Sequence, residues 1–409
     1  MIDVVEPPVL VAVRAHLASQ RERIVDDVAT LARHESPTGD AARLDALAAE
    51  VAAAWERLGA GVTHHEVDGV GTHLEVRWPG PSGPWPTDTV AAHGRAASAA
   101  ETDAAPTPPA LLLGHLDTVH EVGTIERNPV RVEGGRLYGP GTQDMKAGLV
   151  LACHAAEALA AVGCPPRRAV TLLATADEEV GSTTSRALIE ARARESAHAF
   201  VLEPAGSNGE LKTARKGVAI YEMAITGRAA HAGMHFDDGV SAATRLARLV
   251  LALEALTDLE AGTTVNIGTM RAGTRFNIVA ERALAEVEAR FATNAEADRV
   301  DEAVRALAVD PPATLEIRGG VNRRALERDD AVVALVGHAR DLAERMGLPV
   351  PGELAVGGAS DGNFSAGVGT PTLDGLGAVG GGLHTTDEWV AVDALADRAA
   401  LLAALLATV

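Results

Sequence analysis

Two cysteines, Cys153 and Cys164, are too few to hold a chain of 409 residues together by a disulfide framework. Cys153 falls in an Ala-rich helical stretch, where a small buried apolar residue is expected. Aromatic residues make up 3% of the chain although 47% is hydrophobic, so the core must be built from Ala, Val and Leu. That apolar fraction excludes a fibrous or wholly disordered chain. No run of about 18 uninterrupted apolar residues occurs, so no membrane span is expected. Met1 to Val13 lacks a basic start followed by a long apolar run, so no secretory leader is expected either. Basic residues are outnumbered, 36 against 56 acidic ones, for a net charge of −20. Nucleic acid and anionic membrane both call for a basic face, which excludes them as expected partners. These absences point to a soluble cytoplasmic protein whose charge serves solubility.

The length suits two domains. Val9 to Leu58 reads as two helices broken at Ser36-Pro37-Thr38-Gly39, the second with Leu44, Leu47, Val51 and Leu58 at helical spacing. Val62 to Val67 and Thr72 to Trp78 alternate like strands. Residues 79–109 are rich in Pro, Ala, Gly, Ser and Thr, and read as an exposed, mobile insertion. Buried strands are then expected at Ala110 to Gly114, Ala169 to Ala174 and Ala199 to Leu202, with helices at Gly148 to Ala161 and Ser182 to Glu195. This alternation predicts an α/β fold, a mostly parallel sheet flanked by helices. From Thr213 the order becomes strand (Val218 to Thr226), helix (Ser241 to Leu259), two strands (Thr264 to Met270, Ala283 to Ala292), helix (Ala295 to Ala308) and strand (Leu315 to Arg318). That order predicts an inserted ferredoxin-like α+β domain. The expected domains are 1–212, 213–323 and 324–409, the last completing the first.

Polar residues gather at the carboxyl ends of the predicted strands, where open parallel sheets bind ligands. His115 and Asp117 end one strand, Glu178 and Glu179 another, and Glu203 a third. Asp144 lies in a glycine-rich loop from Tyr138 to Gly148, and His384 follows Gly380-Gly381-Gly382. The loop lacks the Gly-Lys-Ser/Thr of a nucleotide cradle, so that reading fails. Two histidines and three carboxylates can hold two divalent ions with one carboxylate shared. Such a nitrogen and oxygen set suits two zinc ions, with cobalt or manganese as substitutes. Ions roughly 3.5–4 Å apart can activate a water and polarise a carbonyl, and a further carboxylate must take the water's proton.

Together, His-x-Asp at 115–117, the Gly-Pro-Gly-x-x-Asp-x-Lys loop, the Glu178-Glu179 pair, Glu203-Pro204 and the late His384 resemble the M20 metallopeptidases related to glutamate carboxypeptidase. The resemblance implies one zinc on His115, Asp144 and Glu203, and another on Asp144, Glu179 and His384. It implies Glu178 as general base, Asp117 as the acceptor that orients the His115 imidazole, and a cis peptide bond at Asp144-Met145. Ala147 departs from the pattern, since many relatives carry glycine there. The inserted domain resembles the family's lid and dimerisation domain. His231, in Gly227 to Gly233, matches a histidine that reaches a neighbouring subunit's site. Asn277 and Arg290 match substrate contacts, and Gly358 lies in a loop resembling a substrate-facing backbone segment. The implied protein is a homodimeric di-zinc hydrolase that cuts an amide bond beside a free carboxylate. Its substrates would be short peptides or acyl-glutamates, with N-acyl-amino-acid deacylation as the alternative. Glu203 favours both over the aminopeptidase branches, which tend to carry aspartate there. A non-catalytic binding homologue would be free to lose Glu178 or a ligand, yet all these positions are filled.

Overall fold

The computed structural model describes residues 7–81 and 107–409. Most of the insertion expected at 79–109 lies outside the described residues. In chain order the strands are β1 (Gly61–Val67), β2 (Gly71–Trp78), β3 (Ala110–His115), β4 (Arg131–Glu133), β5 (Arg136–Tyr138), β6 (Val170–Thr175), β7 (His198–Val201) and β8 (Leu211–Arg215). They continue as β9 (Gly217–Thr226), β10 (Thr264–Ala272), β11 (Arg282–Phe291), β12 (Thr314–Arg323), β13 (Glu353–Val356), β14 (Thr372–Leu373), β15 (Gly380–Gly381) and β16 (Trp389–Ala391). The chain divides into two compact units. One comprises Met1–Thr213, Arg328–Ala355 and Ser360–Val409, the other Ala214–Glu327 and Val356–Ala359.

In the first unit β1-β2-β6-β3-β7-β14 form one sheet. β6, β3, β7 and β14 run parallel, while β2 and β1 continue it antiparallel. Successive side chains of a strand point to opposite faces, and here both faces are covered. Leu112 and Leu172 join the core under the helices Ala147–Ala161 and Val392–Thr408. Leu111, Leu113 and Leu173 pack instead with Ile189 and Ala193 of the helix Arg186–Glu195. Double burial is why these strands read as apolar runs rather than alternating ones. Each fully buried leucine contributes roughly 1.5–3 kcal/mol. The helix Ala147–Ala161 approaches the strand ends closely at Gly148, where a Cβ would lie 2.2 Å from the Leu202 carbonyl oxygen. The departure at Ala147 is accommodated in the buried core.

The amino-terminal segment corrects one expectation. The stretch before Ser36 is two helices, Pro7–Ser19 and Arg21–Arg33, with a break at Gln20 (φ −96°, ψ 7°). Neither Gly nor Pro marks it, and the apolar spacing runs through. The next helix, Ala41–Glu56, starts at the Asp40 cap, whose carboxylate accepts from the Arg43 N–H. Cys153 is half-buried rather than buried, and both cysteines are free. Four short strands escaped the sequence reading and form a sheet of order β15-β16-β5-β4. Strands of two or three residues are too short for periodicity to show. No described helix is long and apolar enough to cross a membrane.

The second unit is a four-stranded antiparallel sheet of order β10-β11-β9-β12, with helices Ala242–Glu254 and Asn294–Arg305 following β9 and β11. This is the ferredoxin-like arrangement. Tyr221, Val287, Ala289 and Phe291 of the sheet share a core with Val300 and Val304 of the second helix. Ser241 and Thr293 cap the two helices. β12 continues five residues beyond the expected Arg318. Gly319 and Gly320 interrupt its pattern; at Gly319 (φ 87°) a Cβ would meet the Ile220 carbonyl oxygen at 2.1 Å.

A buried carboxylate ties β2 to the helix Arg186–Glu195 in the first unit. Glu75 accepts from Arg192 at 2.9 and 3.1 Å and from Arg77 at 2.8 Å, and His65 lies 2.8 Å away. Burial opposes its charge, but these partners outweigh burial and hold its carboxyl at about 2, below the ordinary 4.5. A carboxyl depressed by folding stabilises the native state above its unfolded value and loses that contribution as pH falls through the folded one. Glu75→Gln should therefore lower the urea midpoint at neutral pH, and its deficit from wild type should shrink from about pH 4.5 down to about pH 2. A deficit independent of pH across that window would assign the loss to packing instead.

Candidate metal centre

The carboxyl ends of β3, β6 and β7 bring three of the sequence-predicted segments together. His115 is the last residue of β3, and its Nδ1 donates to the Asp117 backbone carbonyl at 2.8 Å. That bond leaves Nε2 facing the cluster, 3.1 Å from Asp144 Oδ1 and 3.6 Å from Glu203 Oε1. The expected acceptor, the Asp117 carboxylate, lies 3.6 Å from Nδ1, an ion-pair distance longer than a hydrogen bond. It serves the neighbouring turn as well. Asp117 accepts from the backbone N–H groups of Glu178 and Glu179, both at 3.1 Å, and from Thr38 Oγ1 at 2.8 Å. Burial opposes its charge, yet the His115 imidazole and these donors hold its carboxyl below the usual range.

His384 sits in the loop between β15 and β16 with φ 59°, and its side chain is 54% exposed. Its Nε2 lies 3.2 Å from Asp144 Oδ2 and 3.5 Å from Glu179 Oε2. Asp144 thus turns one oxygen to each histidine. The Asp144-Met145 peptide bond is cis.

The charges demand a cation. The bond from Asp144 pushes the His384 imidazole up to about 9. Burial resists charging His115, but Asp117, Asp144 and Glu203 raise it well above its ordinary value. Burial lifts Glu179 to about 7, and its Oε1 is buried with no hydrogen-bond partner among the described residues. Ligand atoms of His115, Glu178 and Glu203 lie within 4.8 Å of one another, as do those of His115, Asp144 and Glu179. Imidazole nitrogens and carboxylate oxygens this close, with an oxygen unsatisfied, fit a divalent metal.

The model for peptidase family M20/M25/M40 matches residues 111–408. The chain belongs to this family. It is 30% identical over 301 residues to carboxypeptidase G2 of Pseudomonas sp. (strain RS-16), covering 72% of each chain. Over 180 residues it is 33% identical to acetylornithine deacetylase of Myxococcus xanthus, covering 41% of this chain and 46% of the relative. Among solved structures, aminopeptidase PepT of Bacillus cereus ATCC 10987 superposes with a TM-score of 0.73 at 26% identity, over 95% of this chain and 98% of the other. The protein is accordingly a metal-dependent peptide hydrolase of the M20 family.

The substrate residues expected by analogy within M20 all belong to the second unit. His231 and Asn277 are neighbours: the Ala232 N–H donates to the Asn277 carbonyl at 3.0 Å, and His231 pairs with Ile278. His231 is exposed, and its Nδ1 accepts from Gly233 and Met234 N–H groups, both at 3.2 Å. A neutral ring so held carries its proton on Nε2, as a donor. Arg290 reaches the loop of Gly358, donating to the Gly357 carbonyl at 3.0 Å, and also pairs with Glu288 at 2.7 Å.

Two residues of this M20 site had no role in the sequence reading. Glu388 is fully buried. Its Oε1 accepts from the Gln143 and Asp144 N–H groups at 2.7 and 2.9 Å, and its Oε2 from Gly141 N–H at 2.8 Å, with His120 Nε2 at 2.6 Å. One carboxylate thus binds the loop that presents Asp144. Lys146 is buried too; it donates to the His34 and Pro140 carbonyls at 2.7 and 3.4 Å, and burial lowers it to about 8. The only sequence signal for Glu388 was an acid four residues beyond His384; bonds to backbone N–H leave no pattern.

Glu388→Ala should weaken metal binding roughly 10–100-fold, as loss of a support behind a ligand commonly does. Competition with a chelator measures this. Unchanged affinity in a folded variant would show that the loop holds Asp144 without Glu388.

Proposed function

We propose that the protein is a two-zinc carboxypeptidase that cleaves the amide bond beside a free carboxylate in short peptides or acyl-glutamate-like substrates. The observation that carries this reading is Asp144, with Oδ1 toward His115 and Oδ2 toward His384. His115, Asp144 and Glu203 would hold one ion; Asp144, Glu179 and His384 would hold the other, so that Asp144 bridges. Bound, such ions supply Lewis acidity that polarises a carbonyl and acidifies water. Cobalt or manganese would serve the same donors.

Glu178 is the general base. Its backbone N–H is anchored on Asp117, and its side chain is 9% exposed beside His115 and Glu203. A carboxylate oxygen there takes the proton of the attacking water and passes it to the leaving nitrogen. Asp117 positions this base through the turn it holds. Arg290 and the Gly358 loop would receive the substrate carboxylate, a group a guanidinium fork matches. Asn277 would contact the substrate. His231 would donate from Nε2 to the scissile carbonyl of a partner subunit in a two-fold homodimer formed through the second unit. Free thiols at Cys153 and Cys164 suit a cytoplasmic location.

The similarity to acetylornithine deacetylase favours a second reading, N-acyl-amino-acid deacylation. Both readings place a carboxylate on the leaving amino acid. A screen of dipeptides, acyl-glutamates and acetylated amino acids with zinc-loaded enzyme decides between them; turnover only of amides lacking a carboxylate beside the cut would overturn both.

Glu178→Ala should retain metal while kcat falls about 10²–10⁴-fold. Asp144→Ala should lose both metal and activity. Metal content by mass spectrometry, read beside kcat, separates the two roles, and full zinc content in Asp144→Ala would place the bridge elsewhere.

The role of His231 is tested by mixing. Glu178→Ala and His231→Ala subunits, each inactive alone, should regain activity after exchange, because one site of each mixed dimer carries both intact groups. No recovery after verified exchange, or full activity from a monomer, rules the cross-subunit role out.

A further inference from the structure

The helix Val392–Thr408 is built mostly of Ala and Leu and is buried along most of its length, yet it carries one buried cation, Arg398. Burying a charge is costly unless it is hydrogen-bonded. The adjacent Asp397 pairs with Arg14, at 3.5 Å. Arg398 spends its guanidinium on backbone. Its Nε donates to the Gly377 carbonyl at 2.9 Å, its Nη1 to the Gly209 carbonyl at 3.1 Å, and its Nη2 to the Gly375 carbonyl. Burial lowers its pKa to about 10, so the group stays charged at neutral pH.

The three carbonyls belong to the two segments that frame Glu203, all within the first unit. β7 and β14 pair in parallel, and beyond their ends the two stretches of chain continue side by side. The Leu376 N–H donates to the Val201 carbonyl at 3.1 Å, the Gly377 N–H to the Glu203 carbonyl at 2.9 Å, and the Ala205 N–H to the Ala378 carbonyl at 3.0 Å. Contact is so close at Gly377 that a Cβ would lie 2.2 Å from the Leu202 carbonyl oxygen and 2.7 Å from that of Glu203. Gly209 belongs to the turn that follows Glu203, where its N–H donates to the Gly206 carbonyl at 2.9 Å. Arg398 therefore joins the segment paired with the Glu203 backbone to the segment that leaves it.

We propose that Arg398 is a positioning residue for the metal centre, its guanidinium locking residues 375–377 to residues 206–210 behind Glu203 and so fixing where the Glu203 carboxylate points. This rests on the reading of Glu203 as a ligand of the ion shared with His115 and Asp144. Glu203 is buried, with Oε1 3.6 Å from His115 Nε2. Glu388 and Asp117 use acids to collect N–H groups behind their ligands; Arg398 uses a cation to collect carbonyls. A guanidinium carries donors on three nitrogens of one rigid plane, which lets it span acceptors on separate segments. Lysine presents its three donors from a single point.

Zinc affinity measured one ion at a time tests this role. His384→Ala leaves the donors of the ion on His115, Asp144 and Glu203, whereas Glu203→Ala leaves those of the ion on Asp144, Glu179 and His384. Arg398→Lys and Arg398→Met are added to each background, and zinc affinity is read by chelator competition, with folding checked by circular dichroism. In His384→Ala, Arg398→Lys should weaken zinc roughly 10–100-fold, the usual loss when a support behind a ligand is removed, and Arg398→Met should weaken it at least as much. In Glu203→Ala either substitution should change affinity less than about twofold, as for independent sites. If Arg398→Met does not fold, Arg398→Lys alone decides. Unchanged zinc affinity on adding Arg398→Lys to His384→Ala, or equal weakening in both backgrounds, overturns the positioning role and leaves a structural arginine. Two ions held with wild-type affinity by Glu203→Ala overturn the ligand assignment itself, and the proposal falls with it.

Discussion

The placement of one carboxylate, Asp144, between two histidines is the constraint on which the rest of the first unit depends. His115 comes from a buried strand and His384 from a loop between two very short strands, so nothing local brings them together. Asp144 spans them only because its loop is pinned from behind. Glu388 collects the Gly141, Gln143 and Asp144 N–H groups of that loop on one buried carboxylate. Gly148 lets the following helix run against the Leu202 backbone, next to Glu203. Asp117 does for the Glu178-Glu179 turn what Glu388 does for the Asp144 loop. In both cases a buried carboxylate satisfies backbone donors that would otherwise be orphaned, and the liganding side chains are aimed as a result.

A chain of net charge −20 concentrates more acid in one crevice. Asp144, Glu178, Glu179 and Glu203 crowd two imidazoles, which the neighbouring carboxylates raise, while burial raises Glu179. A divalent ion on such donors displaces their protons, so its affinity depends on pH.

Several elements were legible because a single physical signal dominated each. Leu111 to Leu113 and Leu172 to Leu173 could only be strands buried on both faces, and β9 and β11 alternate because one face meets helices. The candidate metal-binding residues were legible through their position at strand ends and through their resemblance to M20 motifs. The break at Gln20, the register shift between Val321 and Arg323 in β12 and the sheet of β15-β16-β5-β4 were not, since each depends on pairings between distant segments or on a kink without Gly or Pro. Sequence proximity placed the Asp117 carboxylate beside His115, and the structure has the pair at 3.6 Å. That Nδ1 donates to the Asp117 backbone carbonyl, at 2.8 Å, was not legible in the sequence.

By itself the sequence determined the α/β class, the ferredoxin-like order of the insert and the inventory of candidate metal-binding side chains, because periodicity and residue chemistry are local properties. Only the tertiary structure decided which oxygen faces which histidine, that Glu388 and His120 hold the Asp144 loop, and that Asp117 anchors the Glu178-Glu179 turn. Those are matters of ångströms between residues tens to hundreds of positions apart, set by how the helices and strands pack. No spacing along the chain records them.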